Sequence, residues 1–352
     1  WIGLGEEVSN FEREFKEYIG SSYALALNSG SAALQLAIES FGFKKGKKVL
    51  VNNLTFIASA TCILHNNLEP VLIDCNEDDL GINLEDAEKK VDKNTVALIV
   101  VHYAGHPAPM DKIMKFANQY NLKVIEDCAH CVGGIYKDKF LGTWGDIGCF
   151  SFEEKKGMTS GDGGMMVSNN ENLIEKMRPN RWLGIDKDTW KRNSSYTSLG
   201  DLDTLHWHYE VSDLGFKYNM NDLSASIARV QLRRLKEFNS KRTYLVKLYL
   251  SYLENVDFIK PLINYDLNYP AYWIFGIRSF ERDKVIRQLK SKGISTGVHY
   301  MPVSKHPLFR TYDINLPIST KIWKQFITLP LHTKLEEKDI RYVCQTLISY
   351  SD

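Results

Sequence analysis

The chain is predicted to be an α/β protein: a mostly parallel central sheet flanked by helices, with a smaller α+β domain at the C-terminal end. Three observations predict this. Apolar runs of strand length alternate with segments of helical periodicity through the first half. Small-residue or carboxylate-bearing turns follow the ends of several of those runs, where ligands of such sheets bind. Beyond about residue 256 the chain reads as a strand, a helix, a strand and a closing helix, the content of a small α+β domain.

Gly5 to Tyr18 reads as an amphipathic helix, because Val8, Phe11, Phe15 and Tyr18 recur at spacings of three and four. Tyr23 to Leu27 is a short strand running into the turn Ser29, Gly30, Ser31, and Ala32 to Phe41 continues as a helix. Lys48 to Val51 is the next strand, followed by a helix from Thr55 to His65 with Phe56 in its first turn. The alternation then gives strands over Glu69 to Asp74, Val96 to Val101 and Leu122 to Asp127, with helices over Leu84 to Lys90 and Met110 to Tyr120. After Gly164 come a strand, Met165 to Ser168, and a helix, Glu171 to Met177. Asn180 to Tyr218 is polar, aromatic and aperiodic, and aperiodic stretches of that length in enzymes are usually functional. Two helices are expected next, Asn221 to Phe238 and Lys241 to Glu254, with the boundary between a large domain (1–238) and a small one (239–352) between them. The small domain is read as strand Tyr272 to Ser279, helix Asp283 to Lys292, strand Thr296 to His299 and closing helix Glu336 to Ile348.

The 352 residues suffice for two domains, and 44 basic against 43 acidic residues leave a net charge of +1. That balance argues against nucleic acid or an anionic membrane as partner. No apolar run approaches the roughly 18 residues of a membrane span and no signal peptide is visible, so a cytoplasmic location is expected. The chain opens at Trp1 without a methionine, so residues upstream of it are expected. Cys128 and Cys131 form a CxxC, but a zinc site wants a second ligand pair at similar spacing and none exists. The six cysteines therefore read as small buried thiols in a reducing compartment, with no metal.

The stretch from Cys149 to Gly164, CFSFEEKKGMTSGDGG, sets an apolar entry against Lys155 and Lys156 and then a glycine-dense turn. Some twenty-five residues earlier, the strand ending in Glu126 and Asp127 delivers a carboxylate at its C-terminal end. The turn from Asn28 to Ser31 leads into a helix, whose free N–H groups can hold a phosphate. Phosphate cradle, strand-end carboxylate and lysine are the three parts that bind pyridoxal phosphate (PLP) covalently with its ring nitrogen kept protonated.

The segments NSGSAAL, NLTFIASA, VIEDCAH, GDIGCFSF, the K-x-x-x-x-G-D-G-G ending on Gly164, and LGFKYNMNDLSASI occur in that order. Together they resemble the DegT/DnrJ/EryC1/StrS family of PLP-dependent sugar aminotransferases, over Gly3 to about Leu347. The resemblance implies a fold-type I PLP-dependent transferase acting as a homodimer.

On that resemblance Lys156 matches the lysine that carries the cofactor, counted back from Gly161, with its neighbour Lys155 as the alternative. Asp127 would pair with the pyridine nitrogen; read on its own it could equally cap a helix after a strand. His130 matches a position that contacts the cofactor ring or its phenolic oxygen, and Phe56 the aromatic that stacks on its face, where the plain readings are a structural histidine and a core residue. Gly30, Ser31 and Ser151 look like phosphate ligands. Lys217 stands where the family commonly has an asparagine that reaches the phosphate of the neighbouring subunit; a solvated lysine is the rival. The family's H-Y-x-P-x-H pattern appears with Ser304 in place of the second histidine, which places substrate near His299, Tyr300 and the Trp1 to Gly5 start. Trp182, Trp190, Trp207 and Tyr209 could stack on a base, cover the site or pack an interface.

The function implied is transfer of an amino group from an amino acid, glutamate being the expected donor, to a nucleotide-linked keto-sugar. The family's dehydratase branch replaces the lysine with histidine, and Lys156 argues against it. A small phosphorylated ketone as acceptor, or a non-catalytic regulatory protein on the same fold, are the alternatives.

Overall fold

The computed structural model describes residues 2–186, 209–268, 271–312 and 315–349. In chain order the first nine strands are β1 (Tyr23–Leu27), β2 (Lys48–Asn52), β3 (Glu69–Ile73), β4 (Thr95–Val101), β5 (Lys123–Asp127), the hairpin β6 (Ile135–Tyr136) and β7 (Lys139–Phe140), β8 (Ile147–Ser151) and β9 (Gly164–Ser168). Seven of them form one sheet in the order β1-β9-β8-β5-β4-β2-β3. The pairs β2–β3, β2–β4, β4–β5 and β5–β8 are parallel, whereas β9 runs antiparallel to both neighbours. That reversal has a local consequence. Ser151 at the end of β8 and Leu27 at the end of β1 both pair with Gly164 at the start of β9, so the glycine turn lies on the edge where the parallel strands end.

Pleating divides the strand residues between two cores. Leu50, Val100, Val124 and Phe150 face one core, together with Val8, Phe11 and Phe15 of helix α1 (Glu6–Ile19). Val49, Val51, Ile99, Ile125 and Cys149 face the other, under α2 (Gly30–Ser40) and α3 (Ala58–His65). The helix periodicity read for α1 is thus a packing face, and its phenylalanines meet Phe150 and Phe152 edge-on, with centroids 5.0 and 5.3 Å apart for Phe15–Phe150 and Phe11–Phe152.

Several elements differ from expectation. The two helices expected on either side of residue 239 are one helix, Asp222–Leu253. Asn239, expected at a break, instead donates its side-chain amide to the Val132 carbonyl at 3.0 Å and stays inside the helix. The N-terminal half of that helix (Ala225, Ala228, Leu232, Leu235) packs on the sheet, and its C-terminal half (Leu245, Val246, Tyr249, Leu253) joins a separate core with Phe275, Ile277, Ile327 and Leu347. Helix α3 starts at Ala58 rather than Thr55, since a Thr55–Ser59 hydroxyl contact of 3.0 Å closes a turn ahead of it. The helix expected over Glu171 to Met177 divides at Lys176 into Glu171–Glu175 and Met177–Asn180. The strand expected at Thr296 to His299 is a single bridge between Gly297 and Thr328, because His299 turns its ring to the Thr328 hydroxyl. A short sheet of Lys260–Pro261, Phe275–Arg278 and Phe326–Leu329 forms the C-terminal part; the last of these strands and the helix before it, Pro317–Gln325, were not anticipated.

Candidate active site

Asp127 is the last residue of β5, and the pleat sends it and Glu126 to opposite faces. Glu126 accepts the N–H groups of Gly142, Trp144 and Gly145 at 2.9, 2.7 and 2.7 Å and bonds His102 at 3.0 Å, so it anchors a loop beneath the sheet. Asp127 faces the crevice. Its Oδ2 accepts the Ser59 hydroxyl at 2.7 Å and its Oδ1 the Ala129 N–H at 3.2 Å. Burial raises its pKa above the usual carboxylate range, while those two bonds and the charges of Lys156 and His102 pull the other way. His102, Cys128 and Cys131 are the one His/Cys/Asp/Glu group of metal-like geometry among the described residues. His102 Nδ1 accepts the Ala108 N–H at 3.1 Å and Nε2 faces Glu126, so neither nitrogen is open, and burial pushes both thiols up.

The opposite end of the crevice is a helix start. Ser29 caps α2, its hydroxyl accepting the Ala32 N–H at 3.1 Å. Gly30 follows, and a Cβ there would lie 2.7 Å from the Ser151 Cβ; only bare backbone fits. A Cβ on Gly164 would lie 2.2 Å from the Ser29 carbonyl oxygen, so the glycine lets β9 abut the cradle. Ser31 presents its side chain outward from the first turn, and Ser151 lies buried beside it.

Lys156 follows β8 in a turn closed by its own N–H to the Glu153 carbonyl at 3.0 Å. Its Nζ lies 3.9 Å from the centre of the Trp273 ring. Burial lowers its pKa to about 8, against the opposing pull of Asp127 and Glu153. Lys155, by contrast, is exposed and pairs with Glu154 at 3.4 Å.

The far wall is aromatic. The His130 ring stacks on Trp273 at 4.1 Å, and its Nε2 meets the Tyr300 hydroxyl at 3.2 Å. Tyr300 also packs against Phe56, itself 50% exposed, at 5.4 Å. Burial pushes His130 well below the usual histidine range and Tyr300 up. His299 donates to or accepts from Thr328 at 2.8 Å, and burial with the nearby Lys156 and Lys155 charges lowers it to about 4.

A cavity of about 420 Å³ brings together Gly30, Ser31, Phe56, Asp127, His130, Ser151, Lys156, His299 and Tyr300. Lys217 is not among its lining residues. Its Nζ donates to Asn219 at 2.9 Å and lies 5.4 Å from the Trp182 ring centre, while its carbonyl accepts the Asn28 amide at 3.1 Å, which sets its backbone beside the Ser29 turn. Tyr209 is exposed, and Trp1, Trp190 and Trp207 lie outside the described residues. Sequence reading missed Trp273, Ser59 and Glu153. Ser59 sits in the quoted NLTFIASA segment, so its hydroxyl was visible; Trp273 was absorbed into an apolar run and carried no separate signal.

The family profile of the DegT/DnrJ/EryC1/StrS aminotransferases matches residues 1–348. The chain belongs to this family. An uncharacterized protein of Methanocaldococcus jannaschii is 37% identical over 350 residues, covering 97% of this chain and 89% of its own. The spore coat polysaccharide biosynthesis protein SpsC of Bacillus subtilis is 32% identical over 359 residues (99% and 90%), and the GDP-perosamine synthase of Escherichia coli O157:H7 29% over 358 (100% and 93%). Among solved structures, S. venezuelae DesV superposes with a TM-score of 0.90 at 28% identity, covering 100% of this chain and 91% of that one. Spr1654 of Streptococcus pneumoniae in its PLP form gives 0.88 at 25% identity, covering 100% and 92%. The DegT/DnrJ/EryC1/StrS protein described here is accordingly a fold-type I aminotransferase, and its cofactor is PLP.

The residues present fit that cofactor. Gly30, with no room for a Cβ, opens the helix start to a phosphate between Ser31 and Ser151. Asp127 is a buried carboxylate with two hydrogen bonds and no ion pair within 4.0 Å among the described residues, which suits a protonated ring nitrogen. Lys156, made less basic by burial, suits attachment to the cofactor aldehyde.

Proposed function

We propose that this aminotransferase moves an amino group from an amino acid, glutamate, to the keto carbon of a nucleotide-linked sugar. The observation that carries the reading is that one cavity gathers the buried carboxylate, the burial-shifted lysine and the glycine–serine helix start. The activities for which the relatives are named, GDP-perosamine synthesis and spore coat polysaccharide biosynthesis, support a sugar acceptor.

When bound, the cofactor supplies an aldehyde that captures amines and a ring that takes up the electrons freed at the substrate carbon. Asp127 would hold positive charge at the ring nitrogen, its carboxylate fixed by the Ser59 hydroxyl and the Ala129 N–H. Ser31, Ser151 and the free N–H groups of α2 would hold the phosphate. Lys156 would anchor the cofactor, and its Nζ, made less basic by burial, would be the group that takes up and gives back a proton at the reacting carbon. Phe56 covers one side of the crevice, while His299 and Tyr300 face the acceptor.

The active form is proposed to be a cytoplasmic homodimer with composite sites. Six free, buried cysteines support a reducing compartment. Lys217, turned away from the cavity of its own chain, would serve the phosphate of the partner's site.

Borohydride reduction of the loaded protein, followed by peptide mapping, is expected to place the cofactor on Lys156; an adduct on any other lysine overturns the assignment. A panel of nucleotide-linked keto-sugars and small phosphorylated ketones, offered to the amine-loaded enzyme, tests the acceptor class, and exclusive turnover of the ketones overturns the sugar reading. For assembly, inactive Lys156→Ala chains are mixed with chains whose Lys217 change prevents cofactor binding. Activity should return, and its absence despite confirmed subunit exchange shows that the site is built within one chain.

A further inference from the structure

The loop that carries Lys156, residues 153–158, is anchored at its far end by Met158, buried in the core, but few hydrogen bonds of its own hold the turn at the lysine. Glu154 and Lys155 are exposed, and its internal bonds are the Lys156 N–H to the Glu153 carbonyl at 3.0 Å and the Lys155 N–H to the Glu153 carboxylate at 3.1 Å. Two residues far along the chain hold it from outside. The carbonyl of Lys155, just before the lysine, accepts the indole N–H of Trp273 at 2.7 Å. The carbonyl of Gly157, just after it, accepts Arg242 Nη1 at 2.9 Å. Both donors are buried, 8% and 7% exposed.

Arg242 is an unusual donor to find there. Burial lowers its pKa to about 10, and no carboxylate among the described residues offsets the effect. Bringing a guanidinium into the protein without an anionic partner costs free energy, so general stability gives no reason for the arrangement. Trp273 acts twice: its N–H fixes the backbone ahead of Lys156, and its ring face lies 3.9 Å from Nζ. The two donors belong to helix Asp222–Leu253 and to the segment leading into strand Phe275–Arg278. The segment carrying His299 is tied to the same small sheet through Gly297 and Thr328. The direction of the lysine and the place of that wall are therefore linked.

We propose that Trp273 and Arg242 are positioning residues for amino transfer, a two-point clamp on the carbonyls flanking Lys156 that keeps its amine aimed across the cavity. The proposal rests on Lys156 as the reacting amine. A misplacement of about 1 Å at such a group can cost about a hundredfold in rate, so two hydrogen bonds spent on backbone direction have a kinetic use.

The test uses the cofactor-free protein and competitive acetylation over a pH series, with Lys156 and Lys155 read separately by mass spectrometry. Trp273→Phe keeps an aromatic face and removes the N–H; Arg242→Lys keeps the cation and removes the guanidinium. In each variant the Lys156 midpoint should move up from about 8 toward that of an ordinary lysine, because the freed loop lets the amine reach water. The exposed Lys155 should titrate as in the wild type, and the melting temperature should hold. In the loaded enzyme kcat should fall about tenfold, with the acceptor KM changing less. If Trp273→Phe does not fold, Arg242→Lys decides the matter. A wild-type Lys156 profile in a folded variant overturns the clamp, whereas a cofactor adduct mapped to another lysine overturns the role of Lys156 and leaves the clamp measurement standing.

Discussion

The two sides of the cavity are built in different ways. The floor is made where sheet strands end: Asp127 closes β5, Ser151 closes β8, and Gly30 opens the helix that follows β1. Its polar atoms are fixed by short bonds, such as Ser59 to Asp127 at 2.7 Å, and its backbone by parallel and antiparallel ladders. The wall is assembled from Trp273, His299 and Tyr300, which lie on segments without ladder pairing of their own beyond one bridge. Side-chain stacking and single hydrogen bonds hold it. A ladder-fixed floor suits a constant cofactor, and a wall held by side chains can be recut for different acceptors without disturbing the sheet.

Substitutions at the floor and at the lysine should then be severe, and those at wall residues other than Trp273, whose N–H also holds the lysine loop, mild. Lys156→Ala should lower turnover by at least about 10³-fold and remove the visible absorbance of the attached cofactor, whereas Lys155→Ala should stay near wild type. In the wild type, the rate at which the cofactor-free protein takes up the aldehyde should climb as pH rises through about 8, since the neutral amine is the reactive form above that value. Asp127→Asn should keep the cofactor through dialysis yet lose about 10²- to 10³-fold in turnover.

Without cofactor, the same residue gives a stability signature. Its folded pKa is raised, so the folded chain keeps this proton at a pH where the unfolded chain has lost it, and stability falls as pH rises across that window. Asp127→Asn should remove that fall, so in melting curves the cofactor-free variant should unfold no earlier than the wild type at neutral pH. An earlier transition would mean that the charged carboxylate stabilises the floor.

Gly30→Ala should weaken cofactor binding about tenfold, or about 1.4 kcal/mol, because the new methyl meets Ser151 at 2.7 Å; a direct cofactor titration measures it. Tyr300→Phe should have the smallest effect. It keeps the contact with Phe56 and loses only the hydroxyl bonded to His130, a change of about 1 kcal/mol that should appear as a severalfold rise in acceptor KM with kcat little altered. A loss at Tyr300 as large as that at Asp127 would collapse the distinction between floor and wall.

What the sequence determined by itself follows from period and proximity. Strand-length apolar runs can only be buried between helices, so the sheet, its parallel core and the placing of Asp127 and the Ser29 turn at strand ends were legible. The glycine spacing after Lys156 was legible through the family resemblance, and the structure supplies its reason, since close backbone approach at Gly164 admits no Cβ. Tertiary structure alone decided the rest. The pleat put Glu126 beneath the sheet and Asp127 in the crevice, although both are acidic and adjacent. Asn239 looked like a helix break and is a mid-helix anchor, since a distant carbonyl takes its amide. Trp273 resembled any other core aromatic until packing set its ring against Lys156 and its N–H on the preceding carbonyl. Partners more than a hundred residues apart leave no local pattern, so only the folded chain could show which apolar or polar residue had been drawn into the site.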